Sequence, residues 1–229
     1  MDKPFLYFDT ETTDSNIKDL LQLAFVTDRM AVNHITPEMV ADKKFLEETE
    51  LPKENIDKEF KGTSLIEYLK FLAEKYIWVA HNIDFDKEVL EKKGITLPNT
   101  ICTLKLARNM LTNGENDLEG YSLQYLRYYL GLYKKENEDH NTAHDALSDV
   151  HFLRDLFHYM QENGKLTTES MITISKEPQF MRQMTFGKYA GKTLEDIARI
   201  DRSYLEWIRD SMYDKPDLQW NAERVLSMT

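Results

Sequence analysis

One cysteine in 229 residues, Cys102, leaves no intrachain disulfide and no cysteine-rich zinc cluster. That usage fits a reducing compartment, and the cytoplasm is the expected location. Positive charge is also scarce: 29 Lys and Arg face 40 Asp and Glu, a formal net charge of -11. A phosphate backbone is attracted mainly by lysine and arginine, so this balance argues against a tight, nonspecific nucleic-acid coat. Met1-Asp2-Lys3-Pro4 runs straight into what reads as a core strand, with no basic leader, long apolar stretch or cleavage site. A soluble, unprocessed chain without membrane association is the expectation. Internal repeats and low-complexity segments are lacking as well.

What remains is a chain 41% hydrophobic and 11% aromatic, enough for one sizeable core and a small second module. From Lys165 onward basic and acidic residues balance by count, so the whole acidic excess lies in the first part. Glu162-Asn163-Gly164 is a plausible boundary, which gives expected domains of 1–164 and 165–229. An acidic first domain can still act on nucleic acid if a few carboxylates hold divalent cations, because the bound ions then supply the positive field.

Phe5-Leu6-Tyr7-Phe8 is a short apolar, aromatic run that reads as a buried strand ending near Thr13, and Leu20 to Thr27 reads as a second. Leu65, Ile66, Leu69, Phe71 and Leu72 have helical spacing within Ser64 to Lys75, and Tyr76 to Ala80 follows as another buried strand. Phe85 to Lys93 reads as a helix closed by Gly94, and another helix is expected around Leu104 to Leu111. Ser122 suits the N-cap of a helix closed by Gly131. A long helix from Thr142 to about Gln161 carries an apolar stripe of Leu147, Val150, Leu153, Phe157 and Met160. Strands and helices intermingle, so the expected class is an α/β sheet with helices packed on it.

Three acidic segments stand out. Asp9 and Glu11 are two apart at a strand end and project from one face, where they repel unless a cation lies between them. Taken alone, such a pair equally fits a solvated strand terminus. The second segment, Ala80-His81-Asn82-Ile83-Asp84-Phe85-Asp86, lies where a buried strand opens into a helix, the place α/β folds put ligands. Asp84 or Asp86 could also merely cap the helix, and His81 and Asn82 equally fit turn residues. In the third, His144-Asp145-Ala146-Leu147-Ser148-Asp149, Asp149 falls near the inner edge of the apolar stripe and needs a partner such as a metal ion. His144 equally fits a structural or exposed histidine, but an imidazole, with an unperturbed pKa of about 6.5, is also suited to take a proton from water.

Phe8-Asp9-Thr10-Glu11-Thr12-Thr13, His81 to Asp86 and His144 to Asp149, in this order, resemble the three motifs of the DEDDh 3′-5′ exonucleases. That family includes the proofreading subunits of bacterial DNA polymerases, ribonuclease T and the exodeoxyribonuclease X-like proteins. The resemblance covers roughly residues 4 to 160 and implies an RNase H-like mixed sheet flanked by helices. It selects Asp86 over Asp84, because the family's acid directly follows Phe. The histidine five positions before the last acid marks the branch. Met184 to Thr193, with Tyr204 to Ile208, resembles the small C-terminal helical module of exodeoxyribonuclease X-like proteins, which makes that subgroup the expected one.

Two departures from the family pattern bear on the fold and on substrate fit. The segment between Ala24 and His34 is short for the usual strands and hairpin, so a truncated antiparallel part is expected. His34 to Asp42 resembles the family's segment after the third strand. Asp14 stands where many relatives have glycine and adds negative charge near a substrate end.

The resemblance implies hydrolysis of phosphodiester bonds from the 3′ end of DNA, with a single-stranded end as the expected substrate and release of nucleoside 5′-monophosphates. Two Mg2+ or Mn2+ ions about 4 Å apart serve such chemistry. Asp9 is expected to bridge them, Glu11 and Asp149 to complete one site, and Asp86 to hold the other. His144 is the expected base. Thr10, Thr12, His81 and Asn82 are the expected contacts to the terminal nucleotide. An RNA-directed enzyme of the same fold and a catalytically silent nucleic-acid-binding protein are the rival readings; the complete set of five catalytic positions weighs against the second.

The tail has two readings. Phe186, Lys188, Tyr189, Lys192, Tyr204 and Trp207 combine aromatics and bases as a single-strand surface would. Alternatively, Phe186, Leu194, Ile197, Leu205, Trp207 and Ile208 form the core of a small helical module, the more ordinary arrangement.

Overall fold

A computed structural model describes residues 3–13, 19–28, 38–42, 64–111, 118–135, 146–184, 186–213 and 215–228. The chain divides into two compact units, Met1–Met110 with Leu118–Ser175, and Leu111–Asp117 with Lys176–Thr229.

The first unit is built on a mixed five-stranded sheet of order β3-β2-β1-β4-β5. Strand β1 (Phe5–Thr12) is central, pairing antiparallel with β2 (Leu20–Thr27) and parallel with β4 (Ile77–Ala80). Leu6, Tyr7 and Phe8 are all buried, so both faces of β1 are covered, as the continuous apolar run requires. Strand β3 (Glu38–Asp42) pairs antiparallel with β2, and β5 (Thr100–Cys102) pairs parallel with β4.

The antiparallel part of the sheet, where a truncation was expected from the short segment after Ala24, keeps β2 and a five-residue β3. Its third strand lies further along the chain, in register from Gln22 opposite Asp42 to Val26 opposite Glu38. Five residues between polar neighbours carry too weak an alternation to announce a strand, and the pairing with β2 decides it. Asp14, His34 and His144 lie outside the described residues.

Helix α1 (Leu65–Lys75) starts at Ser64, whose hydroxyl accepts the Glu67 N–H, and buries Leu65, Tyr68, Leu69 and Leu72. Its last turn meets β4: the Trp78 indole N–H donates to the Leu72 carbonyl at 3.3 Å, and the ring packs edge-on against Phe8. Helix α2 (Ile83–Glu91) opens from β4 through Asn82, and α3 (Thr103–Leu111) follows β5 directly. Helix α4 (Leu123–Tyr129) starts at Ser122, and α5 (Ala146–Gly164) packs across β1 and β2 through Val150, Leu153, Phe157 and Met160.

Helix α6 (Thr168–Lys176) runs to the edge of the first unit. Its Ser175 hydroxyl accepts the Cys102 N–H at 2.8 Å and donates to the Met171 carbonyl, tying the helix to β5. Through this contact α6 belongs with the first unit, and α5 runs on through the polar Glu162-Asn163-Gly164 stretch.

At the end of β2, the Asp28 carboxylate accepts the Tyr7 phenol at 2.7 Å and sits 2.6 Å from His158 Nε2 on α5. Burial and the Asp28 charge push the phenol far above its ordinary value, so Tyr7 is the donor. Burial raises the Asp28 carboxyl, but the hydrogen bonds from His158 and Tyr7 outweigh it and hold the group below its ordinary range. A carboxyl depressed in the folded state adds stability above its unfolded pKa of about 3.9 and loses it as pH falls through the folded value. Tyr7→Phe is expected to cost about 1 kcal/mol at pH 7 and less at pH 3, as read from urea melts at the two pH values.

The second unit packs α7 (Leu194–Ile200), α8 (Arg202–Ser211) and α9 (Pro216–Met228) around Met184, Leu194, Ile197, Leu205, Ile208 and Val225. Thr193 and Asp201 cap α7 and α8 by accepting the Asp196 and Tyr204 N–H groups. Asn221 is wholly buried and satisfied: it accepts the Met181 N–H and donates to the Gln179 and Asp217 carbonyls. Two of the six residues expected in a tail core are not in it. Phe186 is 37% and Trp207 50% exposed, because α8 turns Leu205 and Ile208 inward and carries Trp207 on its outer side.

Candidate active site

Strand β1 delivers Asp9 and Glu11 to one side of its C-terminal end. The register against β2 shifts between Glu11 and Thr12, a bulge that ends the regular alternation there. In that register Glu11 faces Gln22, whose side-chain oxygen accepts the Ala146 N–H at 3.3 Å. The first residue of α5 is thereby tied to β2, and Asp149, within the first turn, comes beside the β1 acids. Carboxylate oxygens of Asp9, Glu11 and Asp149 lie within 4.8 Å of one another.

Asp86 arrives from α2 and is 3% exposed. The Thr10 hydroxyl donates to its Oδ1 at 2.6 Å. Burial pushes its carboxyl up to about 7, with hydrogen bonds from Thr10 opposing and the Glu11 charge reinforcing the rise. Asp9 is raised well above the ordinary carboxylate range, first by burial and then by the charges of Asp86, Asp149 and Glu11. Four acids so arranged repel one another, and a cation among them is the ordinary remedy. Oxygen-only donors at this spacing suit a hard divalent ion such as Mg2+ or Mn2+. Asp84, one turn edge away, is exposed and paired with Lys105 at 3.4 Å, outside this group.

The other expected site residues divide. Asn82 has φ 69°, a left-handed conformation that asparagine tolerates, and its exposed side chain makes no capping hydrogen bond. Thr12 is half-buried just past the bulge. His81 is different: its Nε2–H donates to the Tyr121 carbonyl at 2.7 Å, which leaves Nδ1 to accept the Thr103 hydroxyl at 2.9 Å. Burial, with the Arg108 charge adding to it, lowers its pKa to about 4, so the ring is neutral. Both ring nitrogens are spent on protein atoms, and the ring links the end of β4 to the residue before the Ser122 cap of α4.

Two residues of α4 that sequence reasoning passed over reach the site. Gln124 donates to Asp149 Oδ1 at 3.0 Å, and Arg127 in turn donates to the Gln124 oxygen at 3.0 Å. The Arg127 guanidinium is buried over the Phe152 ring of α5, 3.8 Å from its centroid. The available signal was one turn's spacing of two polar residues beside the apolar face of a helix, which surface residues share.

A mixed sheet with an acidic cluster at the end of its central strand defines the class: an RNase H-like nuclease fold with a cation-suited acidic centre. A family model described as 3′-5′ exonuclease matches residues 2–165, and one described as exodeoxyribonuclease X-like C-terminal matches residues 184–210. Exodeoxyribonuclease 10 of Escherichia coli strain K12 is 31% identical over 209 residues, which span 87% of this chain and 79% of that protein. A solved structure of exonuclease X in complex with 5′ overhanging duplex DNA is 25% identical, covering 75% of this chain and 99% of that one, with a TM-score of 0.47. This chain belongs to the 3′-5′ exonuclease family, among its exodeoxyribonuclease X-like members. Among the described residues, no helix is long and apolar enough to cross a membrane.

Proposed function

We propose that the chain shortens DNA from a single-stranded 3′ end, one nucleoside 5′-monophosphate at a time, with two Mg2+ or Mn2+ ions. The observation that carries this reading is the convergence of Asp9, Glu11 and Asp149, with Asp86 buried beside them. Asp9 would be shared between both ions, Glu11 and Asp149 would complete one site, and Asp86 would serve the other. When bound, such ions lower the proton affinity of water and neutralise charge on the attacking and leaving oxygens.

The chain's own residues do the rest. Thr10 fixes the Asp86 carboxylate by its hydroxyl, and Gln124 fixes Asp149. His144 would take the proton from the attacking water, a role that an imidazole can serve. Thr10, Thr12 and Asn82 would contact the terminal nucleotide through backbone and side chain. His81, expected among these contacts, would act instead by positioning the Asn82 turn and the start of α4, since its nitrogens are occupied. A frayed end suits a site built from one strand terminus and two helix starts, since a terminal base must leave its stack to be held there.

The test is release of labelled nucleotide from 5′-labelled and 3′-labelled single-stranded DNA, matched duplex and matched RNA, with Mg2+, Mn2+ or chelator. Metal-dependent release from the 3′ label first, fastest on single-stranded DNA, is the expected result. Faster shortening of RNA would move the reading to a ribonuclease, and activity undiminished by chelator would overturn the two-ion scheme.

A further inference from the structure

We propose that the second unit holds a nucleic-acid single strand on a surface formed by Phe186, Tyr204 and Trp207 with Lys192 and Lys215. This deepens the reading above by giving the strand a hold apart from the acidic centre.

The surface begins in the segment after Met184. The Gly191 N–H donates to the Met184 carbonyl at 2.7 Å, and the Met184 N–H donates to the Lys192 carbonyl at 2.9 Å, so Met184 is tied to Gly191 and Lys192. Gly187 has φ 74°, and a Cβ there would meet the Tyr204 hydroxyl at 3.2 Å. The loop thus lies directly against α8. Tyr204 continues to Trp207, ring centroids 5.7 Å apart, and Lys215 sits 5.6 Å from the Phe186 ring centroid.

Phe186 and Trp207 are not spent on the core, and Tyr204, partly buried against it, backs them. Leu194, Ile197, Leu205 and Ile208 already fill it at 1% exposure or less, while Trp207 keeps half its surface in water. Bases stack on such faces whatever their identity, which matches an enzyme that must pass every base in turn.

Charge points the same way. The acids on or beside α8 are matched locally: Asp201 with Lys188, Glu206 with Arg202 and Asp210 with Arg209. Lys192 is exposed and has no acidic partner among the described residues. The formal charge of -11 lies in the other part of the chain, since basic and acidic residues balance from Lys165 onward. A strand is therefore repelled by the general surface of the catalytic part and meets no net repulsion here.

The test uses the full chain carrying Asp9→Ala, in chelator, so that binding is read without cleavage and without dependence on the catalytic scheme. Anisotropy of a fluorescent oligothymidylate is measured at several salt concentrations. Trp207→Ala is expected to weaken binding on the order of tenfold, and Trp207→Phe to restore most of it. Lys192→Glu is expected to weaken binding and to flatten its salt dependence. Both side chains are exposed, and circular dichroism checks that the variants fold. Unchanged affinity in Trp207→Ala and Lys192→Glu would overturn the proposal, including the case in which this face proves to bind a protein.

Discussion

Asp9→Asn is expected to lower the rate of nucleotide release on the order of a thousandfold while raising the melting temperature of the metal-free protein. The two effects share one cause. Asp9, on β1, is the acid that all three others repel, pushed well above its ordinary range by burial and by Asp86, Asp149 and Glu11. A carboxyl raised in the folded state binds protons more tightly folded than unfolded. Its stability contribution therefore falls as pH rises from the unfolded value of about 3.9 toward the folded one, and at neutral pH without cations it is a cost.

Asparagine keeps the shape and removes the charge, so the metal-free fold gains a few degrees, read by thermal denaturation in chelator. Loss of several kcal/mol of charge stabilisation in the transition state corresponds to the thousandfold loss of rate. Divalent cations should raise the melting temperature of the wild type and move that of Asp9→Asn much less, because binding to the folded state stabilises it by mass action. A variant that loses activity and also melts lower in chelator would mean that Asp9 is held by protein contacts rather than strained by its neighbours.

Gln124→Ala is expected to lower kcat about 10- to 100-fold with little change in KM for DNA, the usual cost of removing a partner that orients a metal-binding carboxylate. Gln124 makes this link: its amide holds Asp149 Oδ1, and Arg127 holds the Gln124 oxygen so that the amide cannot turn over. Arg127 is itself fixed against Phe152, so the chain of contacts runs from the α5 core to the α5 acid through α4. Arg127→Met should repeat the kcat loss, and the double variant should be little worse than either single one, because both break the same link.

Excess Mn2+ should recover part of the Gln124→Ala rate, since the lesion weakens ion placement rather than the strand contacts. A loss confined to KM, or one untouched by metal concentration, would show that Gln124 serves the substrate instead of Asp149.

The sequence by itself determined the strands around Leu6 and Val79, the helix from Leu65 and the division between an acidic part and a balanced tail, whereas the set of acids came from the family resemblance. These are local matters: apolar runs, helical spacing, a serine before a helix and the count of charges. The short β3 and β5 were not legible, because three to five residues carry little periodicity and become strands only through pairing with β2 and β4.

The resemblance had already selected Asp86 over Asp84; tertiary structure buried Asp86 and paired Asp84 with Lys105. It decided that the His81 nitrogens are turned to Thr103 and Tyr121, and that Gln124 and Arg127, ordinary residues in sequence, stand behind Asp149. It also placed Trp207 outside the core that its spacing had suggested. In each case the deciding quantity is a contact between residues distant in the chain, and a pattern of neighbouring letters carries no measure of that distance.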